Sequence, residues 1–176
     1  MAQVCYGALA YNLQISEALS FGALGTNSAA ATGQINPTLA YVTGASGTSM
    51  GINLHFEKSA NPVTLASSAT VTYTLSSLTD DLGRNFSMAG GVTYLVIYIT
   101  SRTAGDYLTL TPGATHGWTG ALSGTTPSIK IFKLLLIACD LTDHFPIAAG
   151  SNDQITITNG GANSITFQIG LAGCAS

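Results

Sequence analysis

The chain has 176 residues, enough for one domain with a proper core, yet only 7% are Asp, Glu, Lys or Arg against roughly 25% in an average soluble domain. The net charge of −3 and five scattered basic residues, Lys58, Arg84, Arg102, Lys130 and Lys133, exclude a basic footprint for nucleic acid. No run of about 18 apolar residues is present to cross a membrane as a helix, and the opening Met-Ala-Gln-Val-Cys-Tyr-Gly lacks the basic and apolar regions of a secretory signal.

Thr, Ser, Asn and 20 Gly stand where charge is missing. A free monomer of this mass exposes roughly 8,000 Å², leaving about one charged side chain per 600 Å². So thin a coat of charge predicts a surface largely covered by neighbours; a secreted, Thr-rich β-protein is the plainer alternative. Cys5, Cys139 and Cys174 are an odd number without metal-like spacing, which reads as lone thiols made in a reducing cytosol.

In chain order, Tyr11, Leu13 and Ile15 alternate with polar residues and predict a strand within 1–22. Residues 22–49 are rich in Gly, Ala, Ser and Thr and carry no charge, so they read as a long loop or an arm laid along a neighbouring subunit. Ile52, Leu54 and Phe56 alternate inward, Asn61-Pro62 predicts a turn, and Val71, Tyr73 and Leu75 mark the next strand. Ser76 to Asn85 is polar and reads as a turn or one helical turn. Gly90 to Thr100 is the organising strand: Val92, Tyr94, Val96 and Tyr98 fall on one side, Leu95, Ile97 and Ile99 on the other. Both sides are apolar, so coverage on both faces is expected.

Tyr107 to Leu110 reads as a short strand closed by Pro112-Gly113, and Gly117 to Ser123 holds the single Trp. Ser128 to Ala138 reads as a second heavy strand, with Lys130 and Lys133 on opposite faces marking an edge or interface. Asp140 to Asn152 is a loop. Gln154 to Thr158 and Ser164 to Leu171 alternate around Asn159-Gly160-Gly161-Ala162-Asn163 and predict a β-hairpin. The sum is an all-β protein: a single β-sandwich or jelly-roll-like domain over 51–176, preceded by an N-terminal strand and uncharged arm over 1–50.

A search for chemistry finds little. Asp80-Asp81 and Asp140…Asp143 are carboxylate pairs, but neighbours on a turn are first of all turn formers, and no calcium-loop spacing supports them. His55, His116 and His144 do not share a zinc spacing, and Cys139 with Asp140 and His144 is proximity in sequence only. No nucleophile elbow, phosphate loop or dinucleotide fingerprint occurs. Trp118, with His116 and Tyr107, offers a sugar-stacking platform; the preferred reading has Trp118 plugging the end of the fold or a seam between subunits. No catalytic, cofactor-binding or metal-binding residue is assigned.

Leu78-Thr79-Asp80-Asp81-Leu82-Gly83 before the organising strand, Gly113-Ala114-Thr115-His116-Gly117-Trp118 with Gly120, and the Asn- and Gly-rich close from Ile155 to Gly173 carry a resemblance. Through them residues 51–173 resemble the small β-sandwich structural proteins encoded among the structural genes of tailed bacteriophages and prophages. The chain departs from that pattern in its longer neutral arm and in its Lys-bearing strand. The resemblance implies a virion component made in the bacterial host cytoplasm. The expected function is a non-enzymatic capsid decoration (cement) protein, assembling as a homotrimer with its own copies and the major capsid protein, without cofactor, nucleic acid or membrane. A receptor- or carbohydrate-binding module on a tail or fibre, and a subunit of a helical tube, are the alternatives.

Overall fold

The structure, a computed structural model, describes residues 54–174 apart from 82, 84, 125, 126 and 140–143; of 54–57 and 59, and of 7–10, 13–18, 30–35 and 38–41, it describes the backbone. All regular structure among the described residues is β, and every ladder between its strands is antiparallel. Residues Gly7–Tyr41 form one compact unit, and the strands from Leu54 onward belong to another.

In the first unit, β1 (Gly7–Ala10) pairs with β4 (Thr38–Tyr41), and β2 (Leu13–Ala18) with β3 (Ala30–Ile35). The expected strand around Leu13 is present. The expectation of one continuous loop over 22–49 is corrected, because β3 and β4 lie inside it. A ladder asks each residue for an N–H and a C=O rather than for bulk, and Ala30–Ile35 meets Leu13–Ala18 residue for residue. The rest of 22–49, and the neighbour-covering role expected of it, lie outside the described residues.

The second unit holds β5 (Leu54–Leu65), β6 (Thr70–Thr74), a two-stranded ribbon of β7 (Leu78–Thr79) and β8 (Asn85–Phe86), then β9 (Gly91–Ser101), β10 (Leu108–Pro112), β11 (Ile129–Ile131), β12 (Leu134–Ala138), β13 (Gln154–Asn159) and β14 (Ile165–Cys174). One four-stranded sheet runs β12-β9-β14-β5, the other β11-β10-β13-β6. Rank by rank, the two orders hold strands successive in the chain: β12 with β11, β9 with β10, β14 with β13, β5 with β6. Each of these successive pairs is therefore joined by a connection that leaves one sheet for the other, and all four crossings lie at the same strand ends.

Two expectations are corrected here. The strands flanking Asn159–Asn163 are present, but they do not pair as a hairpin: β13 bonds to β10 and β6, β14 to β9 and β5. The loop is held open by its own side chains. Asn159 Nδ2 donates to the carbonyls of Leu65, Ala66 and Asn163, and its Oδ1 accepts from Gly161 N. Asp106 accepts from Ala162 N and Asn163 Nδ2 at 2.9 and 3.0 Å. A Cβ on Gly161 would overlap the Asp106 carboxyl, which is why the arch needs glycine there. The heavy strand over Ser128–Ala138 is likewise two strands in different sheets, broken at Phe132-Lys133 where the alternation of Ile129-Lys130-Ile131 ends.

Asn61-Pro62 is not a turn either. Both residues lie within β5, where the register against β14 jumps from Val63↔Phe167 to Lys58↔Ile169, leaving 59–62 opposite Gln168. β5 is outermost in its sheet, a position that tolerates proline. The N–H groups freed by this bulge, of Ala60 and Asn61, donate to Asp81 Oδ2 at 2.9 and 3.0 Å.

Alternation sorts the faces. Leu95, Ile97 and Ile99 of β9, Ile165, Phe167, Ile169 and Leu171 of β14, Leu108 and Leu110 of β10, and Ile155 and Ile157 of β13 are buried together in one hydrophobic cluster. The other side of β9 is less covered than its composition predicts: Tyr94 and Val96 are half-buried and Tyr98 is 40% exposed. That outer face continues onto Leu134 and Leu136 of β12, opposite Tyr98 and Val96. The second sheet turns threonine outward instead, Thr72 of β6 meeting Thr156 of β13 hydroxyl to hydroxyl at 3.0 Å, with Thr109 and Thr111 of β10 beyond. The two are called below the tyrosine sheet and the threonine sheet.

Candidate functional site

At the crossing end, the β9–β10 connection and the Phe132-Lys133 bend bring together cations that the sequence disperses. Lys133 lies over the Tyr98 ring, its Nζ 4.5 Å from the centroid, and donates to Ile99 O at 2.9 Å. Lys130 Nζ stands 4.6 Å over the Tyr107 ring, which is tilted against Phe132 at 5.7 Å. The Arg102 guanidinium lies 6.0 Å from the Phe132 centroid, and one of its nitrogens, Nη1, donates to the carbonyls of Thr103 and Asp106 at 3.2 and 3.1 Å. Ring faces attract cations through their quadrupole, so Lys130 and Lys133 are held without a carboxylate, while the Arg102 charge also acts on the nearby Asp106 carboxyl. Among the described residues, no carboxylate comes within ion-pair distance of these three.

Between Arg102 and Lys133 opens a cleft of about 440 Å³, lined by Ile99, Thr100, Ser101, Arg102, Ala104 and Lys133. The Thr100 hydroxyl is tied to Thr166 O at 3.1 Å, and Ser101 is exposed. Phe132 and Leu134 next to it are 49% and 57% exposed. The corner is an anion-attracting, partly apolar pocket of modest size. Its sequence signal is nearly nil: Arg102 and Lys133 are far apart in the chain and meet because β9 and β12 are paired.

Of the carboxylates singled out from the sequence, Asp80 and Asp81 are described, and both belong to the fold. Asp80 is buried. Asp81, beside it, caps the β5 bulge and lies 3.3 Å from Lys58 Nζ. The Asn61 amide, then Lys58 and the Ala60 amide, hold the Asp81 carboxyl below the ordinary carboxylate range. The two do not face each other across a groove. Asp140 and Asp143 lie outside the described residues, as do Cys5 and the side chain of His55.

Asp153, which the sequence does not advertise, is buried and accepts from the Ser76 hydroxyl and from Gly150 N, while its Oδ1 lies 3.8 Å from His116 Nδ1. A hydrolytic relay puts imidazole between hydroxyl and carboxylate; here the carboxylate is in the middle, so the trio is not arranged as such a relay and links three loops. Trp118 is fully buried, edge-on to Phe145 at 5.9 Å and donating through Nε1 to Pro146 O at 3.0 Å. The platform of Trp118, His116 and Tyr107 is therefore not assembled, since Tyr107 belongs to the cationic corner. Cys139 and Cys174 are free thiols, the latter with its pKa raised by burial. No cluster of three or more metal-ligating side chains occurs among the described residues.

Comparison with known protein families, with curated proteins and with solved structures finds no match to this chain.

Proposed function

We propose that this chain is a non-enzymatic structural protein that assembles with its own copies, a capsid decoration protein of a tailed-phage virion, and that residues 54–174 form an eight-stranded sandwich of jelly-roll type. The strand order supports the fold. Two four-stranded antiparallel sheets whose equal ranks are successive strands arise when one long paired ribbon folds over on itself, the double Greek key used by viral capsid and lectin domains. The resemblance of residues 51–173 to phage structural proteins supports the virion setting.

The observation that carries self-assembly is the inequality of the two outer faces. The threonine sheet is wetted by hydroxyls, so its lack of charge needs no covering partner. The tyrosine sheet has a hydroxyl pair of its own, Thr64 with Thr166 at 2.9 Å. Over β9 and β12, however, it presents Tyr98 and Leu134 to solvent, and one of its two edge strands, Leu134–Ala138, carries no charge and pairs with β9 alone among the described residues. An uncharged apolar edge is a template for another chain. Copies of the same chain, closed about a symmetry axis as a trimer, are the occupant.

Sedimentation velocity at micromolar concentration tests this. The wild type is expected at about three times its 17.9 kDa chain mass, and Tyr98→Glu with Leu134→Glu is expected to leave a folded monomer. A wild type that sediments only as a monomer would sink the proposal.

A further inference from the structure

Beyond assembly, we propose that the cleft between Arg102 and Lys133 binds a carboxylated sugar, with the acid group held by the two cations and the ring hydroxyls met by Thr100 and Ser101. Arg102 uses Nη1 on two carbonyls, and its Nε and Nη2 have no acceptor among the described residues. That leaves donors of the planar fork free for the two oxygens of a carboxylate. Lys133 gives one N–H to Ile99 O and keeps two. Both cations are positioned before any ligand arrives, by carbonyls and by a ring, so little side-chain freedom is lost on binding.

The cleft volume, about 440 Å³, lies within the span of small-ligand sites, about 300–1,000 Å³. A sugar acid fits this site better than a nucleic acid for two reasons. The ammonium groups of Lys130 and Lys133 already stand over the Tyr107 and Tyr98 rings, where a base would need to stack. The chain as a whole is negative, at −3, so a long polyanion meets net repulsion while one acid group in the cleft meets two local cations. Ser101 is exposed, and the Thr100 oxygen, whose proton goes to Thr166 O, can still accept, so the pair suits ring hydroxyls that an aliphatic acid does not carry.

The test is a titration of the intact protein with digalacturonic acid, read by calorimetry and by amide NMR shifts, with the methyl-esterified disaccharide and a thymidylate oligomer as comparators. Saturable binding of the acid is expected, with shifts confined to 99–104 and 133, weakened at about 0.5 M salt. Arg102→Gln and Lys133→Gln are each expected to weaken it at least about tenfold, measured at a temperature where the variants remain folded. Equal binding of the neutral ester, shifts elsewhere, tighter binding of the oligonucleotide at these residues, or no saturation would each overturn the assignment. Should either variant fold poorly, the wild-type shift map and the ester comparison still decide.

Discussion

Asp106 shows how a single carboxylate is used in a chain so short of charge. It is buried at the crossing end, bonded to Asn163 Nδ2 and Ala162 N, with Arg102 nearby. The Asn163 side chain first, then the backbone amides and the Arg102 charge, hold its pKa below the ordinary 3.8. A carboxyl whose folded pKa is depressed contributes stability above its unfolded pKa and loses it as pH falls through the folded value. Asp106→Asn is therefore expected to lower the melting temperature at pH 7, and the gap to wild type is expected to narrow by about pH 3. Thermal melts at the two pH values check this; a gap that widens in acid would reverse the sign. The sequence marks Asp106 as nothing more than a loop residue, because its partners come from the arch after β13, far along the chain.

At the scale of elements, strand existence was legible and strand partnership was not. The alternation of Leu95, Ile97 and Ile99, or of Ile155 and Ile157, states which side is buried, since a two-residue period has two outcomes only. The Asn-Gly-Gly-Ala-Asn segment states that the chain reverses, yet a hairpin and an arch reverse it equally. What selects the arch is Asn159, whose amide binds three carbonyls from the neighbouring crossing and its own loop. Asn159→Ala leaves those acceptors and Gly161 N without partners and is expected to cost about 3 kcal/mol or more in urea denaturation. Asn159→Asp is expected to cost more at neutral pH, since a carboxylate would face three carbonyl oxygens, and to recover partly in acid. An aspartate variant as stable as wild type at pH 7 would dismiss this account of the arch. The Lys133 bend eluded the sequence for the same reason: apolar residues flank it on both sides, and only the sheet each half joins tells them apart.

For the second unit as a whole, the connectivity sets the folding rate. No ladder of the two large sheets joins strands linked by a tight turn; the nearest partners in sequence, Leu110 and Ile129, are still separated by the whole Thr111–Ser128 segment. Chain-closure entropy must be met before those contacts form, so refolding is expected on the order of milliseconds to seconds rather than microseconds. Stopped-flow refolding from urea measures it. The cationic corner belongs to this scale too, since Arg102, Lys130 and Lys133 converge only when both sheets are complete.

The position of β14 has a consequence for biosynthesis. It is the last strand described and it stands between β5 and β9, which do not bond to each other. A ribosome that has delivered everything before Ile165 has made two strands with a missing middle, their inner edges bare. That half of the fold cannot close until Ile165–Cys174 has emerged, and until then its bare edges are open to other copies of the chain.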